Sequence, residues 1–165
     1  MSDSTLAAQR RLLLRHPAGW IATGFGSGFS PVAPGTAGSL VALLPWLALR
    51  ELPLQLYATA LVLAFIAGIW ACAWLVKTLR VSDPSIAVWD EFTGLWVALV
   101  PLAGAPHHWL WIIWGFILFR FFDIAKPWPV SWADREVAGG LGVMFDDVLA
   151  GAYAAAVLWM ALRWS

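Results

Sequence analysis

Long apolar runs alternate along this chain with short segments rich in glycine, proline or charge, and that alternation predicts its elements. Residues 54–76 contain no charged side chain. A helix of roughly 20 apolar residues is what a ~30 Å hydrocarbon layer requires, so this run predicts a spanning helix. Residues 86–103, 109–122 and 148–164 predict three more helices, each shorter or interrupted by acidic residues. Residues 38–49 are apolar but too short to span comfortably, which predicts a tilted short helix or a half-helix. Between the runs lie three polar segments, residues 24–39, 77–91 and 120–147. There is no internal repeat, low-complexity tract or flexible linker. The expected fold class is all-α: a small polytopic membrane helical bundle with about four to five apolar helices.

Composition sharpens this picture. Hydrophobic residues make up 61% of the chain and charged residues 12%, against about 45–50% apolar in soluble domains. Many of the 13 tryptophans stand near the ends of apolar runs (Trp20, Trp46, Trp109, Trp128, Trp164), where amphipathic rings lie at headgroup depth. The formal net charge of zero indicates neither a nucleic-acid surface nor an acidic tail. Cys72, the only cysteine, reads as a small buried hydrophobe and excludes a disulfide framework.

Charge placement predicts a topology. Arg10, Arg11 and Arg15 form a basic start without the pattern of a cleaved signal, and Lys and Arg favour the cytoplasmic side. If all five apolar segments cross, Lys77, Arg80, Lys126 and Arg135 also face the cytoplasm, and the three polar segments share one membrane face. The parity rests on residues 38–49 crossing. The expected organisation is a basic N-terminal cytoplasmic segment, residues 1–23, followed by one membrane-embedded domain, residues 24–165.

The chemistry lies in the polar segments. Asp83-Pro84 predicts an N-cap followed by proline at the first helical position, which places Asp90 and Glu91 about two turns into a helix. Ionisable residues inside an apolar run are functional candidates that face a bundle interior. Asp146-Asp147 forms a second pair where the last apolar run begins, a position that also suits a helix N-terminus. Magnesium takes oxygen ligands and is commonly bound through a few carboxylates plus substrate phosphate, so Asp90, Glu91, Asp146 and Asp147 are the candidate metal set.

Arg120, Asp123 and Lys126 recur at three-residue intervals on one side of a helix. Pro127 and Pro129 predict that this helix stops near Ala125. Arg120 and Lys126 are candidates for neutralising a phosphate, against the alternative that Arg120 snorkels. In residues 24–39 the glycines lack the Walker and Rossmann spacings, yet they lead into an apolar helix. Its first N–H groups, with the hydroxyls of Thr36 and Ser39, suit an anion. His16, His107 and His108 show no ligand spacing and receive no role.

Four ordered segments carry a resemblance: Ala33-Pro34-Gly35-Thr36-Ala37-Gly38-Ser39; Asp90-Glu91-Phe92-Thr93-Gly94; Phe119 to Pro129; and Gly139-Gly140 through Asp146-Asp147 to Gly151. Together they resemble the phosphatidylglycerophosphatase A family over nearly the whole chain. The resemblance implies a magnesium-dependent enzyme of the bacterial inner membrane that converts phosphatidylglycerophosphate to phosphatidylglycerol and inorganic phosphate. Its partner would be a phospholipid substrate met from the cytoplasmic face, with no nucleic acid involved and the oligomeric state open. Pro-Ser-Gly-His, Cys-x5-Arg and Asp-x-Asp phosphatase motifs are absent, as is the Asp-Gly pair of CDP-alcohol transferases.

The expected reaction is in-line attack of water on the terminal phosphate, with magnesium neutralising the phosphoryl oxygens. Asp123 is then a fifth ligand or the base that takes the proton from water; an aspartyl-phosphate route also stays open. A cation transporter is the rival class, but Arg120 and Lys126 beside the acids add nothing to a cation path. A lipid-binding assembly factor uses the bases and has no need of four acids.

Overall fold

A computed structural model describes residues 10–104 and 108–164. The described chain is all-helical: α1 (Pro17–Ala22), a 3-10 turn (Ser27–Phe29), α2 (Pro34–Leu49), α3 (Leu54–Leu79), α4 (Trp89–Ala98), a second 3-10 turn (Val100–Leu102), α5 (Trp109–Ala125), α6 (Val130–Glu136) and α7 (Gly139–Arg163). Helix ends follow local chemistry. The His16 ring accepts the Ala18 N–H at 3.1 Å with Pro17 at the first position of α1. At their C-termini, α3 and α5 close on left-handed residues, Arg80 and Lys126, whose N–H groups reach Val76 and Phe122.

The short helix α4 is the centre of the bundle. Trp89, Phe92, Leu95, Trp96 and Ala98 on it are buried, with Trp89 stacked on Phe92 at 4.9 Å. Buried indole and phenol groups need partners in an apolar interior. Trp96 donates to the Ala42 carbonyl of α2 at 2.9 Å, and Trp89 to the Ala64 carbonyl of α3 at 2.9 Å. Tyr57 accepts from Trp46 at 3.1 Å and donates to the Trp96 carbonyl at 2.6 Å. α7 crosses α4 with backbones nearly touching: a Cβ on Gly151 would lie 2.2 Å from the Gly94 carbonyl oxygen. Small residues at such crossings are the usual way two membrane helices approach closely.

The long elements alternate in direction. The starts of α2 and α4 and the end of α5 meet through Ser39, Glu91 and Arg120, while the far end joins Arg50, after α2, to Gly104 through a 2.7 Å backbone bond. α2, the run read from sequence as a half-helix or short tilted helix, is therefore about 24 Å of continuous helix running from one end of the bundle to the other. It holds Pro45 in its interior.

Three expectations change. Among the described residues, two helices are long and apolar enough to cross a membrane, Leu54–Leu79 and Gly139–Arg163, fewer than the four to five anticipated. α2 has 16 residues, α4 has 10, and the 17 of α5 include Arg120 and Asp123. Asp83-Pro84 does not start a helix. The Val88 N–H is drawn 2.9 Å from the Ala22 carbonyl, and α4 begins at Trp89, so Asp90 and Glu91 occupy its first turn. Conversely, the last helix starts at Gly139, so Asp146 and Asp147 lie two turns inside it rather than at its start. Glycine's poor helix propensity hid those first turns. They form because Gly140 packs against α3, where a Cβ would stand 2.2 Å from the Ile69 carbonyl oxygen.

Candidate active site

Three helix ends and the second turn of α7 bring the polar segments to one end of the bundle. Ser39, in the second turn of α2, is fully buried and its hydroxyl lies 2.7 Å from Glu91 Oε2 and 2.9 Å from the Gly35 carbonyl. Arg120 Nη1 also bonds Glu91 Oε2, approaches the Ser39 oxygen at 3.5 Å and pairs with Asp123 Oδ2 at 2.9 Å. Gly35 is required by this packing: a Cβ there would lie 2.1 Å from Glu91 Oε1. Sequence reasoning placed Gly35 in an anion-binding loop without seeing that Glu91 fills the space beside it. Its position one turn before Ser39 was the available signal.

Among the described residues, all polar contacts of Arg120 run through Nη1, so Nε and Nη2 remain for a ligand. The first turn of α2 has no side-chain cap, and it follows Ala33 in a left-handed conformation, φ 47°. Its free N–H groups and positive dipole end therefore lie beside the same guanidinium. The Thr36 hydroxyl is half-buried in this turn.

Lys126 forms the second half of the site. Its ammonium bonds Asp134 on α6 and lies 2.8 Å from Asp146 Oδ2 on α7. Burial pushes its pKa down, but the hydrogen bonds to Asp134 and Asp146 more than reverse this and hold the ammonium above the ordinary lysine range. Lys126 stands at φ 43°, a left-handed backbone conformation uncommon for any residue other than glycine. Asp134 was missed from sequence; α6 is a short helix after Pro129, and only the turn of the chain brings it back to Lys126.

The remaining acids of the site, Asp90 and Asp147, make no ion pair, although Arg120 is within coulombic reach of Asp147. Asp147 is 4% exposed, and its Oδ2 is buried without a hydrogen-bond partner. Asp90 is half-buried and its Oδ1 accepts the Glu91 N–H at 2.9 Å. Asp147 is within coulombic reach of Asp90, Glu91, Asp123 and Asp146. Among the described residues, six carboxylates, Asp90, Glu91, Asp123, Asp134, Asp146 and Asp147, thus share this end of the bundle with Arg120 and Lys126. Among the described residues, no three acidic, imidazole or thiol groups converge on one point as the side chains stand. His16 stacks on Trp74 at 4.4 Å, a packing role, and His107 lies outside the described residues.

A family model described as phosphatidylglycerophosphatase A matches residues 20–162. The chain belongs to the phosphatidylglycerophosphatase A family. It is 43% identical to phosphatidylglycerophosphatase A of Escherichia coli over 92% of this chain and 87% of that protein. Identity to the Haemophilus influenzae phosphatidylglycerophosphatase A is 37% over 94% of each chain. A Bacteroides thetaiotaomicron protein named a putative phosphatidylinositol-3-phosphatase is 47% identical over 87% of this chain and 92% of its own. No solved structure matches. Membership makes the chain a phosphatase, and the four segments that carried the resemblance are those the fold gathers at one end.

Proposed function

We propose that this family member is a magnesium-dependent, multi-pass membrane phosphatase that converts phosphatidylglycerophosphate to phosphatidylglycerol and inorganic phosphate at the cytoplasmic face of the bacterial inner membrane. One observation carries the reading. The Ser39–Glu91–Arg120–Asp123 network holds a guanidinium by one nitrogen beside an uncapped helix start, leaving its other N–H groups for an anion. A planar guanidinium suits the bidentate recognition of phosphate. A cation transporter has no use for this arrangement.

The residues fit a divalent cation. Burying carboxylates without counter-charge costs several kcal/mol per ion, and Asp147 Oδ2 is an orphaned acceptor in a cluster where acids outnumber bases. Asp90 and Asp147, which make no ion pair, would hold the ion first. Glu91 and Asp146 already engage Arg120 and Lys126 and would complete the set by rearranging. Bound magnesium would supply charge neutralisation on the phosphoryl oxygens.

The chain's own groups do the rest. Arg120 and Lys126 bind and neutralise the terminal phosphate, with the Thr36 region of α2 donating N–H groups to it. Asp123, oriented by Arg120 through Oδ2, accepts the proton of the attacking water on its other oxygen. Ser39 serves the phosphate through Glu91 and Arg120, since its own hydroxyl is engaged.

The membrane reading rests on exposure as well as length. The apolar window of α3 is 22% buried, whereas the core helix of a soluble protein would be mostly covered. Val62, Leu63, Ile66 and Trp70 stand on its open surface, with Trp114, Ile117 and Phe121 on that of α5. Such continuous apolar surface suits lipid as solvent. The gathering of the polar segments at one end of the bundle supports placing them on one membrane face, which the basic residues Arg10, Arg11, Arg15, Lys77, Arg80, Lys126 and Arg135 would make the cytoplasmic one. Detergent-purified protein should release phosphate from phosphatidylglycerophosphate only with magnesium present. No release at any magnesium concentration, or equal release with chelator, overturns the reading.

A further inference from the structure

We propose that the apolar groove lined by Pro129, Leu149, Ala152, Tyr153 and Ala156 seats one acyl chain of the lipid whose phosphate is bound at Lys126, a subsite that rests on the phosphatase reading above. The groove has a volume of about 320 Å³. Two observations connect it to the site. Lys126 Nζ and Asp146 Oδ2 are 2.8 Å apart, and each of these residues stands three positions before a groove wall, Pro129 and Leu149. Asp146, Leu149, Tyr153 and Ala156 recur at helical spacing on one face of α7, so the groove floor continues the face that carries the ion pair.

Tyr153 closes the wall between the two. Its hydroxyl donates to the Trp128 carbonyl at 3.0 Å and its ring stacks on Phe122 at 5.3 Å, fixing the turn after Lys126 against α7. From Asp146 to Ala156 the face descends about 15 Å, away from the polar end. A lipid entering sideways from the bilayer would keep its phosphate at Lys126 and lay a chain along this strip. A second apolar groove, lined by Leu61, Val62, Phe65, Thr93, Val97 and Val148, opens against α3 and α4 and serves as the control surface.

Ala152 and Ala156 are exposed, so larger side chains there fill the groove without entering the core. Ala152→Trp, Ala156→Trp and Val62→Trp are compared with wild type in mixed micelles, on dioleoyl and dihexanoyl phosphatidylglycerophosphate, with melting temperatures taken in parallel. The two groove variants should lose about tenfold or more in kcat/KM on the long-chain lipid, the scale of discrimination a hydrophobic pocket provides. They should change less than about twofold on the short-chain lipid at unaltered melting temperature, and Val62→Trp should match wild type on both. Equal losses on both lipids, no loss, or the same selective loss in Val62→Trp each overturn the subsite and leave only solvating lipid there. Wild type inactive on both lipids fails the phosphatase reading instead, which separates the two claims.

Discussion

Gly35→Ala tests the site where the geometry is tightest. The added methyl would stand 2.1 Å from Glu91 Oε1 and 3.5 Å from Arg120 Nη1. Ordinary contact needs at least about 3 Å, so the Glu91 carboxylate must shift by about 1 Å. It is the end of a flexible side chain, so the backbone of α2 need not move. In the first turn of α2 alanine gains at most about 0.5–1 kcal/mol over glycine, which offsets part of the cost of displacing Glu91, so the protein should stay folded with a melting temperature within a few degrees of wild type. Glu91 anchors Arg120, and Arg120 in turn orients Asp123. A displacement of about 1 Å in such a positioning network can cost on the order of 10²-fold in rate. The assay is phosphate release from phosphatidylglycerophosphate in detergent micelles, with thermal unfolding on the same preparations. Near-native activity in a well-folded Gly35→Ala variant would refute the claim that the Glu91–Arg120 geometry matters to the reaction.

Arg120→Ala should reduce phosphate release by roughly 10²-fold or more, and Arg120→Lys should not restore it, because an ammonium cannot hold Glu91, Asp123 and a phosphate in one plane; a fully active Arg120→Ala variant would return the residue to snorkelling. Asp147→Asn should abolish most magnesium-dependent activity yet melt no lower than wild type without metal, since it removes a carboxylate that lacks a partner. Glu91→Gln should melt lower, leaving the Arg120 guanidinium without its buried carboxylate. Magnesium should raise the melting temperature of wild type and not of Asp147→Asn, and an equal rise in both would remove Asp147 from the metal set. Cysteine placed at Arg80 should resist an impermeant external reagent in intact cells; labelling there would reverse the membrane orientation.

Much of the architecture is determined locally and was legible in the chain. The run after Pro53 is apolar and free of charge and proline over the length of a long helix, and it forms α3. Pro127 forbids α5 from continuing, so Lys126 hangs at its end as expected. The gathering of charged side chains was legible too: carboxylates and bases in so apolar a chain are costly to bury singly, and the fold collects Glu91, Arg120, Asp123, Lys126 and Asp146 at one end. Partnership was not legible. A carboxylate pair in sequence says nothing about which member meets a cation, and only folding sorted Glu91 to Arg120 and Asp146 to Lys126 while leaving Asp90 and Asp147 without an ion pair. Helix starts escaped for a related reason. The local cap at Asp83-Pro84 lost to a long-range bond from Val88 to Ala22, and the Gly139-Gly140 turn became helical through contact with α3. Capping and propensity contribute about 1 kcal/mol each, less than the packing and hydrogen bonds that tertiary structure adds, so the chain determined its helices and charges while the fold decided where they begin and whom they meet.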